Sequence, residues 1–276
     1  MKTIRFPDGT AVPALGQGTW MMAENPARRG DEIAALREGV ELGMTLIDTA
    51  EMYGEGEAEI LVGEAIAGLR DKVFLVSKAY PHHASARLLR RSCEASLKRL
   101  GTGHLDLYLL HWRGAVPLGE TVEAMERLVE AGLIARWGVS NLDMADMEEL
   151  IEAGGHACAT DQILYNLTRR APELDLLPWL ADRSMPVMAY SPVEQGRLLS
   201  HKALAEVARR HEASPARIAL AWLLSRPGIL PIPKAGSVRH VQDNRAAADL
   251  KLSDEDIAQL ERSFPCPTAR RGLEML

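Results

Sequence analysis

The feature that most constrains this chain is an alternation of short apolar segments with longer amphipathic segments, which repeats eight times. Short apolar segments predict buried strands, and apolar residues spaced three and four apart predict helices. The predicted strands span residues 14–19, 45–49, 73–78, 105–111, 136–140, 160–165, 187–191 and 229–233. The predicted helices span residues 31–42, 57–69, 85–100, 120–131, 143–153, 173–183, 202–211, 214–225 and 238–248. Strands that alternate with helices form parallel βαβ units, and eight units predict an α/β chain folded as a (β/α)8 TIM barrel.

Both ends of the chain add an element to the predicted barrel. Asp8-Gly9 lies between two short apolar segments and predicts an N-terminal β-hairpin, and residues 254–262 predict an extra C-terminal helix. A doubly wound sheet would need Gly-x-Gly-x-x-Gly after its first strand, and Met21 stands where the third glycine would be. Because no linker or change in composition divides the chain, we expect residues 1–276 to form a single domain.

The composition excludes several classes of function. With 47% hydrophobic residues, 25% charged residues and a formal net charge of -6, the chain has no basic surface for nucleic acid or an anionic membrane. The N-terminal residues lack an apolar core long enough for a signal peptide, and no apolar segment approaches the length of a membrane span. Cys93, Cys158 and Cys266 are far apart and odd in number, which favours a reducing cytoplasm and neither a disulfide framework nor a zinc site. We expect a cytoplasmic monomer without metal, nucleic-acid or membrane partners.

Polar residues gather where the predicted strands end. In a barrel of this kind the carboxyl ends of the strands share one mouth, so Asp48, Lys78 and His111 should converge there, with Tyr53 in the loop after Asp48. Each residue also has a structural interpretation: Lys78 and Asp48 as a salt bridge, Tyr53 as a packed ring, and His111 as a hydrogen-bonded core residue. Together they predict a proton-donor site, because the Lys78 ammonium would stabilise the phenolate and lower the pKa of Tyr53. Asp48 would hold Lys78, and His111 would orient a carbonyl oxygen.

These residues lie in motifs that resemble the aldo-keto reductase family, in particular bacterial methylglyoxal-type reductases with short loops. The resemblance covers essentially the whole chain. The matching motifs, in family order, are Gly16-Gln17-Gly18-Thr19-Trp20, Asp48-Thr49-Ala50-Glu51-Met52-Tyr53-Gly54, Leu109-Leu110-His111-Trp112, Gly132 to Asn141, Ala189-Tyr190-Ser191-Pro192 and Ile232-Pro233-Lys234.

The resemblance implies an extended NADPH/NADP+ cofactor across the barrel mouth. By that match the carboxamide is bound by Ser140, Asn141 and Gln162, the nicotinamide ring stacks on Tyr190, and the pyrophosphate lies against Ser191, Val193 and Gly196. Ser140-Asn141 can also cap the next helix. Around the adenosine the match assigns Lys234 to the 2′-phosphate and Asn244 to the adenine, with Ser237 and Val238 in the intervening loop. The family's arginine is displaced: His240 occupies its position and Arg239 is one residue early.

The resemblance also indicates the substrate and the reaction. Trp20, Trp112 and Tyr80 would line the pocket, and the short connection after His111 suits small carbonyls such as methylglyoxal. The expected reaction is NADPH-dependent reduction of aldehydes and ketones with Tyr53 as proton donor. One alternative is a nicotinamide-binding regulatory module of the same fold with secondary catalysis. Another is an aldolase with Lys78 as Schiff-base nucleophile, which the neighbouring Asp48 disfavours because it would keep the lysine charged.

Overall fold

Eight parallel strands form the centre of the structure, a computed structural model that describes residues 1–276. Each strand is short and almost wholly buried, as the sequence predicts. A hairpin of β1 (Thr3–Arg5) and β2 (Ala11–Pro13) precedes them. The parallel strands are β3 (Gln17–Gly18), β4 (Leu46–Asp48), β5 (Phe74–Ala79), β6 (Leu107–Leu110), β7 (Trp137–Ser140), β8 (Asp161–Leu164), β9 (Val187–Tyr190) and β10 (Ile229–Pro231).

The parallel strands lie side by side in chain order, from β3 to β10. The backbone N–H of Gly16 donates to the carbonyl of Pro231 at 3.0 Å, and that of Gly18 donates to Pro233 at 3.0 Å. These bonds join the first strand to the last, so neither has a free edge. The arrangement fits the (β/α)8 barrel expected from the sequence, and the predicted N-terminal hairpin is present.

Ten α-helices accompany the strands. They are α1 (Arg29–Glu41), α2 (Glu57–Ile66), α3 (Ala86–Leu100), α4 (Leu118–Glu130), α5 (Met144–Glu152), α6 (Leu176–Asp182), α7 (Lys202–Arg210), α8 (Pro215–Ser225), α9 (Val238–Ala246) and α10 (Asp254–Ser263). The start of α8 follows local capping rules: Ser214 Oγ accepts the N–H of Arg217 at 3.1 Å, and Pro215 lies in the first helical turn. None of the ten combines the length and apolar character needed to cross a lipid bilayer.

The predicted helix 173–183 is wrong at its N-terminal end. The chain instead forms a 3-10 turn, Ala171–Leu174, and then α6. Asp175 separates them, with φ of -149° and a side chain that accepts the N–H of Leu176 at 2.7 Å. Apolar residues continue across this break, so periodicity alone does not reveal it.

Alternation along each strand places an apolar layer beneath a polar one inside the barrel. Leu46 lies two residues before Asp48, Val76 before Lys78, and Leu109 before His111. These apolar residues belong to one interior cluster, which also includes residues of the hairpin and forms the apolar floor of the barrel. Its buried members are Phe6, Val12, Leu46, Val76, Leu107, Leu109, Ala159, Met188, Leu230 and Ile232. Polar residues at the strand ends therefore project above an apolar floor.

Closure of the barrel predicts a stability difference between two glycines. A Cβ at Gly18 would lie 2.6 Å from the backbone oxygen of Ile232, whereas a Cβ at the exposed, helical Gly30 would meet nothing within 4 Å. We expect Gly18→Ala to lower the free energy of unfolding by about 1–3 kcal/mol through overpacking. We expect Gly30→Ala to raise it by up to about 1 kcal/mol. Equal urea midpoints for the two variants would contradict the close approach of the first and last strands.

Candidate active site

The polar layer at the barrel mouth is centred on Lys78. Its Nζ donates to Asp48 Oδ2 at 2.7 Å, to the Thr49 carbonyl at 2.9 Å, and to the hydroxyl of Tyr53 at 3.0 Å. Asp48 ends β4 and Lys78 lies in the adjacent β5, while Tyr53 begins a 3-10 turn after β4. Adjacent strands and one tight turn are therefore enough to bring the three side chains together.

The ammonium of Lys78 is fully buried, with 0% of its surface exposed. Burial favours the neutral amine and is the largest influence on its pKa, but Asp48 and Tyr53 together outweigh it and leave the pKa of Lys78 raised. Burial likewise raises the pKa of Asp48, and the Lys78 ammonium opposes that rise. A lysine that keeps its proton can donate three hydrogen bonds, and all three have acceptors here.

The predicted net lowering of the Tyr53 pKa is wrong. Burial is the largest influence on the pKa of Tyr53 and raises it. The charge of Lys78 lowers this pKa and that of Asp48 raises it, and the net result lies above the ordinary value. The charge of Lys78 alone would lower this pKa, but the Tyr53 ring is only 9% exposed, and its desolvation raises the pKa. Tyr53 therefore holds its proton at neutral pH, and Lys78 is positioned to stabilise the phenolate once the proton has left.

Gln162 contacts the second oxygen of Asp48, a contact that the sequence analysis missed. Its Nε2 donates to Asp48 Oδ1 at 2.7 Å, and the same nitrogen lies 3.9 Å from the sulfur of Met188. Both carboxylate oxygens of Asp48 are thus hydrogen-bonded, one by an ammonium and one by an amide. Gln162 and Asp48 come from strands on opposite sides of the barrel, so strand adjacency gives no sign of this contact.

His111 lies beside Tyr53, with ring centroids 5.8 Å apart and the rings edge to face. Burial, with a smaller contribution from the Lys78 ammonium, lowers the pKa of His111 to about 2. Its Nδ1 is buried without a hydrogen-bond partner. A neutral imidazole has one N–H, and a protonated Nε2 would leave Nδ1 as an acceptor only. His111 can therefore act as a neutral hydrogen-bond donor.

A chain of hydrogen bonds connects the residues predicted to bind a carboxamide and a flat ring. The hydroxyl of Tyr190 donates to Asn141 Oδ1 at 2.9 Å, and Asn141 Nδ2 donates to Ser140 Oγ at 3.0 Å. Ser140 Oγ in turn donates to the backbone oxygen of Gln162 at 2.7 Å. Asn141 has φ of +60°, a left-handed conformation that asparagine adopts more readily than most residues. The alternative helix cap does not involve Ser140 or Asn141, because Asp143 caps α5.

The segment after β9 carries Ser191, Val193 and Gly196. Ser191 has φ of +46° and Gly196 has φ of +90°, so the chain turns sharply over the mouth. Asn166 Nδ2 supports this segment by donating to the Ser191 carbonyl at 2.9 Å and to Glu194 Oε2 at 2.7 Å. The structure thus places all three predicted residues on one braced loop.

A cavity of about 670 Å³ opens beyond that loop. Lys234, Arg239 and His240 are exposed, and the cavity is lined by Val193, Leu199, Ser214, Pro215, Ala216, Arg217, Lys234, Arg239, His240, Gln242, Asp243 and Asn244. Ser237 caps α9 by accepting the N–H of His240 at 3.4 Å, and Val238 follows it, half-buried. The cavity therefore unites most of the residues that the sequence analysis assigned to the adenosine end of a cofactor.

Two arginines near this cavity were missed by the sequence analysis. Arg217 Nη2 donates to Asp243 Oδ1 at 2.6 Å and so holds the carboxylate beside Asn244. Arg28 Nη2 donates to the Gly236 carbonyl at 2.8 Å. Lys234 Nζ lies close to the same glycine, since a Cβ on Gly236 would be 3.2 Å from Arg28 Nη2 and 3.4 Å from Lys234 Nζ. Arg28 precedes α1, far from Lys234 in sequence, and no local motif identifies it.

The remaining predicted residues form an aromatic rim. Trp112 lies beside His111, with centroids 4.8 Å apart, and Tyr80 meets Trp112 edge to face at 6.1 Å. Trp20 is 38% exposed and lies two residues after β3. The rim is open to solvent above the buried Tyr53 and Lys78.

Comparison with known proteins gives a consistent result. A model of the Aldo/keto reductase family matches residues 14–264. The chain is 52% identical over 281 residues to a methylglyoxal reductase, YeaE, of Escherichia coli K12, covering 100% of this chain and 99% of the relative. It is 29% identical over 260 residues to a glyoxal reductase of Bacillus subtilis, covering 94% and 91%. The crystal structure of an aldo/keto reductase from Klebsiella pneumoniae in complex with NADP and acetate superposes with a TM-score of 0.97, at 53% identity, covering 100% of this chain and 99% of that one.

The buried environment of His111 predicts that it does not titrate in the physiological range. Its imidazole signals in nuclear magnetic resonance spectra should stay constant between about pH 5 and 9, because its lowered pKa lies far below the ordinary value of about 6.5. The His111→Gln variant, which lacks the imidazole, identifies the signals. A midpoint near 6.5 for the assigned signals would show that His111 is solvated and can carry charge.

Proposed function

The chain belongs to the aldo/keto reductase family, and from this premise we propose that it is a single-domain, NADPH-dependent reductase of small aldehydes and ketones such as methylglyoxal. The observation that carries the proposal is the buried Lys78, which donates to both Asp48 and Tyr53 at the barrel mouth. This network supports the transfer of one proton to a carbonyl oxygen. The names of the E. coli and B. subtilis relatives support a small dicarbonyl as substrate.

The residues at the mouth fit a nicotinamide cofactor. Asn141 offers an amide that is bonded to the hydroxyl of Ser140, and Gln162 offers a second amide from the position paired with Ser140 on the adjacent strand. Tyr190 offers an aromatic face that is only partly buried. Gln162 uses its Nε2 on Asp48, which leaves its Oε1 to accept from a carboxamide N–H. NADPH, when bound, supplies the hydride. The Klebsiella structures in complex with NADP and NADPH support this cofactor for the present chain.

Tyr53 is the proposed general acid. Its phenol is protonated at neutral pH, because burial raises its pKa. As the carbonyl oxygen gains negative charge, the Tyr53 proton moves to it, and Lys78 Nζ, 3.0 Å away, stabilises the phenolate. His111 remains neutral and donates a hydrogen bond to the same oxygen, which adds electrostatic stabilisation to the transition state. Asp48 and Gln162 act behind Lys78 and keep its ammonium in place.

The alternatives receive less support from the site. A Schiff-base aldolase needs a neutral lysine, whereas Asp48 and Tyr53 raise the pKa of Lys78. A regulatory module with secondary catalysis would not require the complete set of Asp48, Tyr53, Lys78 and His111, and the barrel mouth contains all four. The open aromatic rim and the short loops favour small carbonyls over steroids.

Removal of the Tyr53 hydroxyl tests the general acid. Tyr53→Phe should bind NADPH with wild-type affinity, measured by fluorescence titration, while methylglyoxal turnover falls by roughly two to four decades. Tyr165→Phe is a matched control, since it removes a hydroxyl that is bonded to Glu173 away from the mouth. Near-normal turnover in Tyr53→Phe would remove this residue from the mechanism.

The charge of Lys234 should set the cofactor preference. A lysine contact with the 2′-phosphate is worth roughly 1.5–3 kcal/mol, which corresponds to roughly one to two decades in affinity. We therefore expect Lys234→Met to weaken NADPH binding by that factor and to leave NADH binding unchanged. The exposed Lys72, which is remote in sequence from the cavity-lining residues, provides the control variant Lys72→Met. An unchanged NADPH-to-NADH ratio in Lys234→Met would exclude Lys234 from the phosphate site.

A further inference from the structure

Glu51 is a second buried carboxylate on the loop that carries Tyr53, and the proposed mechanism does not use it. It is 8% exposed and accepts hydrogen bonds from three different groups. The backbone N–H of Tyr80 donates to its Oε1 at 2.7 Å, His83 Nδ1 lies 2.9 Å from the same oxygen, and Ser92 Oγ donates to its Oε2 at 2.6 Å. A carboxylate held by three partners has a fixed position.

The side of Glu51 that faces Ser92 is anchored to the scaffold. Ser92 lies in α3 and is buried, and its Oγ is 3.1 Å from the hydroxyl of Tyr108. Tyr108 lies in β6 and is 0% exposed. The backbone N–H of Glu51 also bonds to the Lys78 carbonyl at 3.4 Å. These contacts tie Glu51 directly to β5 and α3, and to β6 through Ser92.

The opposite side of Glu51 holds the loop between β5 and α3. Tyr80 precedes the 3-10 turn Pro81–His83 in that loop, and His83 is the last residue of the turn. The Tyr80 ring stacks on His82 at 4.8 Å and meets Trp112 edge to face at 6.1 Å. Pro81 packs closely on the next loop, since a Cβ on Gly114 would lie 2.7 Å from Pro81 Cβ. Glu51 thus holds the backbone of Tyr80, and the rings of Tyr80 and Trp112 form an aromatic wall that spans two loops.

We propose that Glu51 is a positioning residue that sets the distance between the Tyr80–Trp112 wall and the proton donor Tyr53, and thereby selects carbonyl substrates by the size of their substituent. The inference rests on the proposed function and extends it to substrate choice. Glu51 is two residues from Tyr53, so the same short loop carries the general acid and the anchor of the wall. A large planar substituent must pack on that wall, whereas methylglyoxal is too small to depend on it. The position of the wall therefore affects large substrates selectively.

The decisive variant is Glu51→Leu, which keeps the bulk and removes every acceptor. Tyr80 N–H loses its acceptor, while Ser92 Oγ keeps the Tyr108 hydroxyl, so the loop that carries Tyr80 becomes more mobile. We expect KM for an aromatic aldehyde such as 4-nitrobenzaldehyde to rise roughly tenfold, because a small misplacement of a positioning group has effects of this order or larger. We expect kcat for methylglyoxal and the Kd of NADPH to stay within about twofold of wild type. A general loss of stability would not raise KM for the aromatic aldehyde while leaving kcat for methylglyoxal unchanged.

Glu51→Gln is the conservative variant. Glutamine keeps an oxygen for Tyr80 N–H and gains an N–H that can donate to Ser92 Oγ, so it should retain the wild-type ratio of specificity constants for the two substrates. Glu55→Gln is the charge-matched control, because Glu55 is exposed on the same loop and its carboxylate makes no hydrogen bond or ion pair. If Glu51→Leu lowers both specificity constants equally, or neither, the positioning role is overturned.

Two further measurements keep the test decisive. His83→Leu removes one donor at a half-exposed position and should shift the ratio in the same direction, roughly threefold; an unchanged ratio overturns the inference even if Glu51→Leu fails to fold. Hydrogen exchange at the Tyr80 amide should be slow in wild type and faster in Glu51→Leu, independently of turnover. Unchanged exchange contradicts the anchor. If the wild-type protein reduces neither substrate, the proposed function is refuted. Faster exchange at the Tyr80 amide in Glu51→Leu would then still support the anchoring of the wall.

Discussion

The buried charge of Lys78 is the interaction on which the site depends. An isolated ammonium would lose its proton in such an environment, because burial penalises the charged form. Lys78 keeps the proton only because Asp48 Oδ2, the Thr49 carbonyl and the Tyr53 hydroxyl lie within 3.0 Å of its Nζ. This requirement fixes the ends of β4 and β5 relative to each other and holds the Tyr53 turn against them. The interaction that permits burial of the charge is therefore also the one that positions the proposed acid.

The barrel supplies this environment through the alternation of its strands. Leu46, Val76 and Leu109 fill the interior directly beneath Asp48, Lys78 and His111, and the hairpin residues Phe6 and Val12 extend the apolar layer. Water is thereby kept away from the lower side of the polar layer, which strengthens the electrostatic interactions within it. The same dry environment lowers the pKa of His111 and raises that of Tyr53. Burial thus keeps His111 neutral and Tyr53 protonated, which is the state that their proposed role as hydrogen-bond donors to a carbonyl oxygen requires.

Much of the fold and the grouping of the site could be predicted from the sequence, because both depend on regular local patterns. Strand ends of a parallel barrel meet at one mouth, so the convergence of Asp48, Lys78 and His111 follows from their positions along the chain. The contact of Gln162 with Asp48 could not be predicted in this way, since it crosses the barrel. The net pKa of Tyr53 depends on how completely the ring is buried, which no sequence pattern encodes. The break at Asp175 was also hidden, because apolar periodicity continues through it.

The loop from Asp48 to Tyr53 contains two carboxylates with different environments. Asp48 accepts from Lys78 and Gln162, which belong to the proposed proton-donor site, whereas Glu51 accepts from Tyr80, His83 and Ser92, which belong to the rim and its support. Neither carboxylate shares a side-chain partner with the other. Under the proposed function, a change in the rim loops can alter the choice of carbonyl without disturbing Lys78. Because loops tolerate change better than the strands that hold the reactive groups, the two proposals together imply that one barrel can serve different substrates with one mechanism.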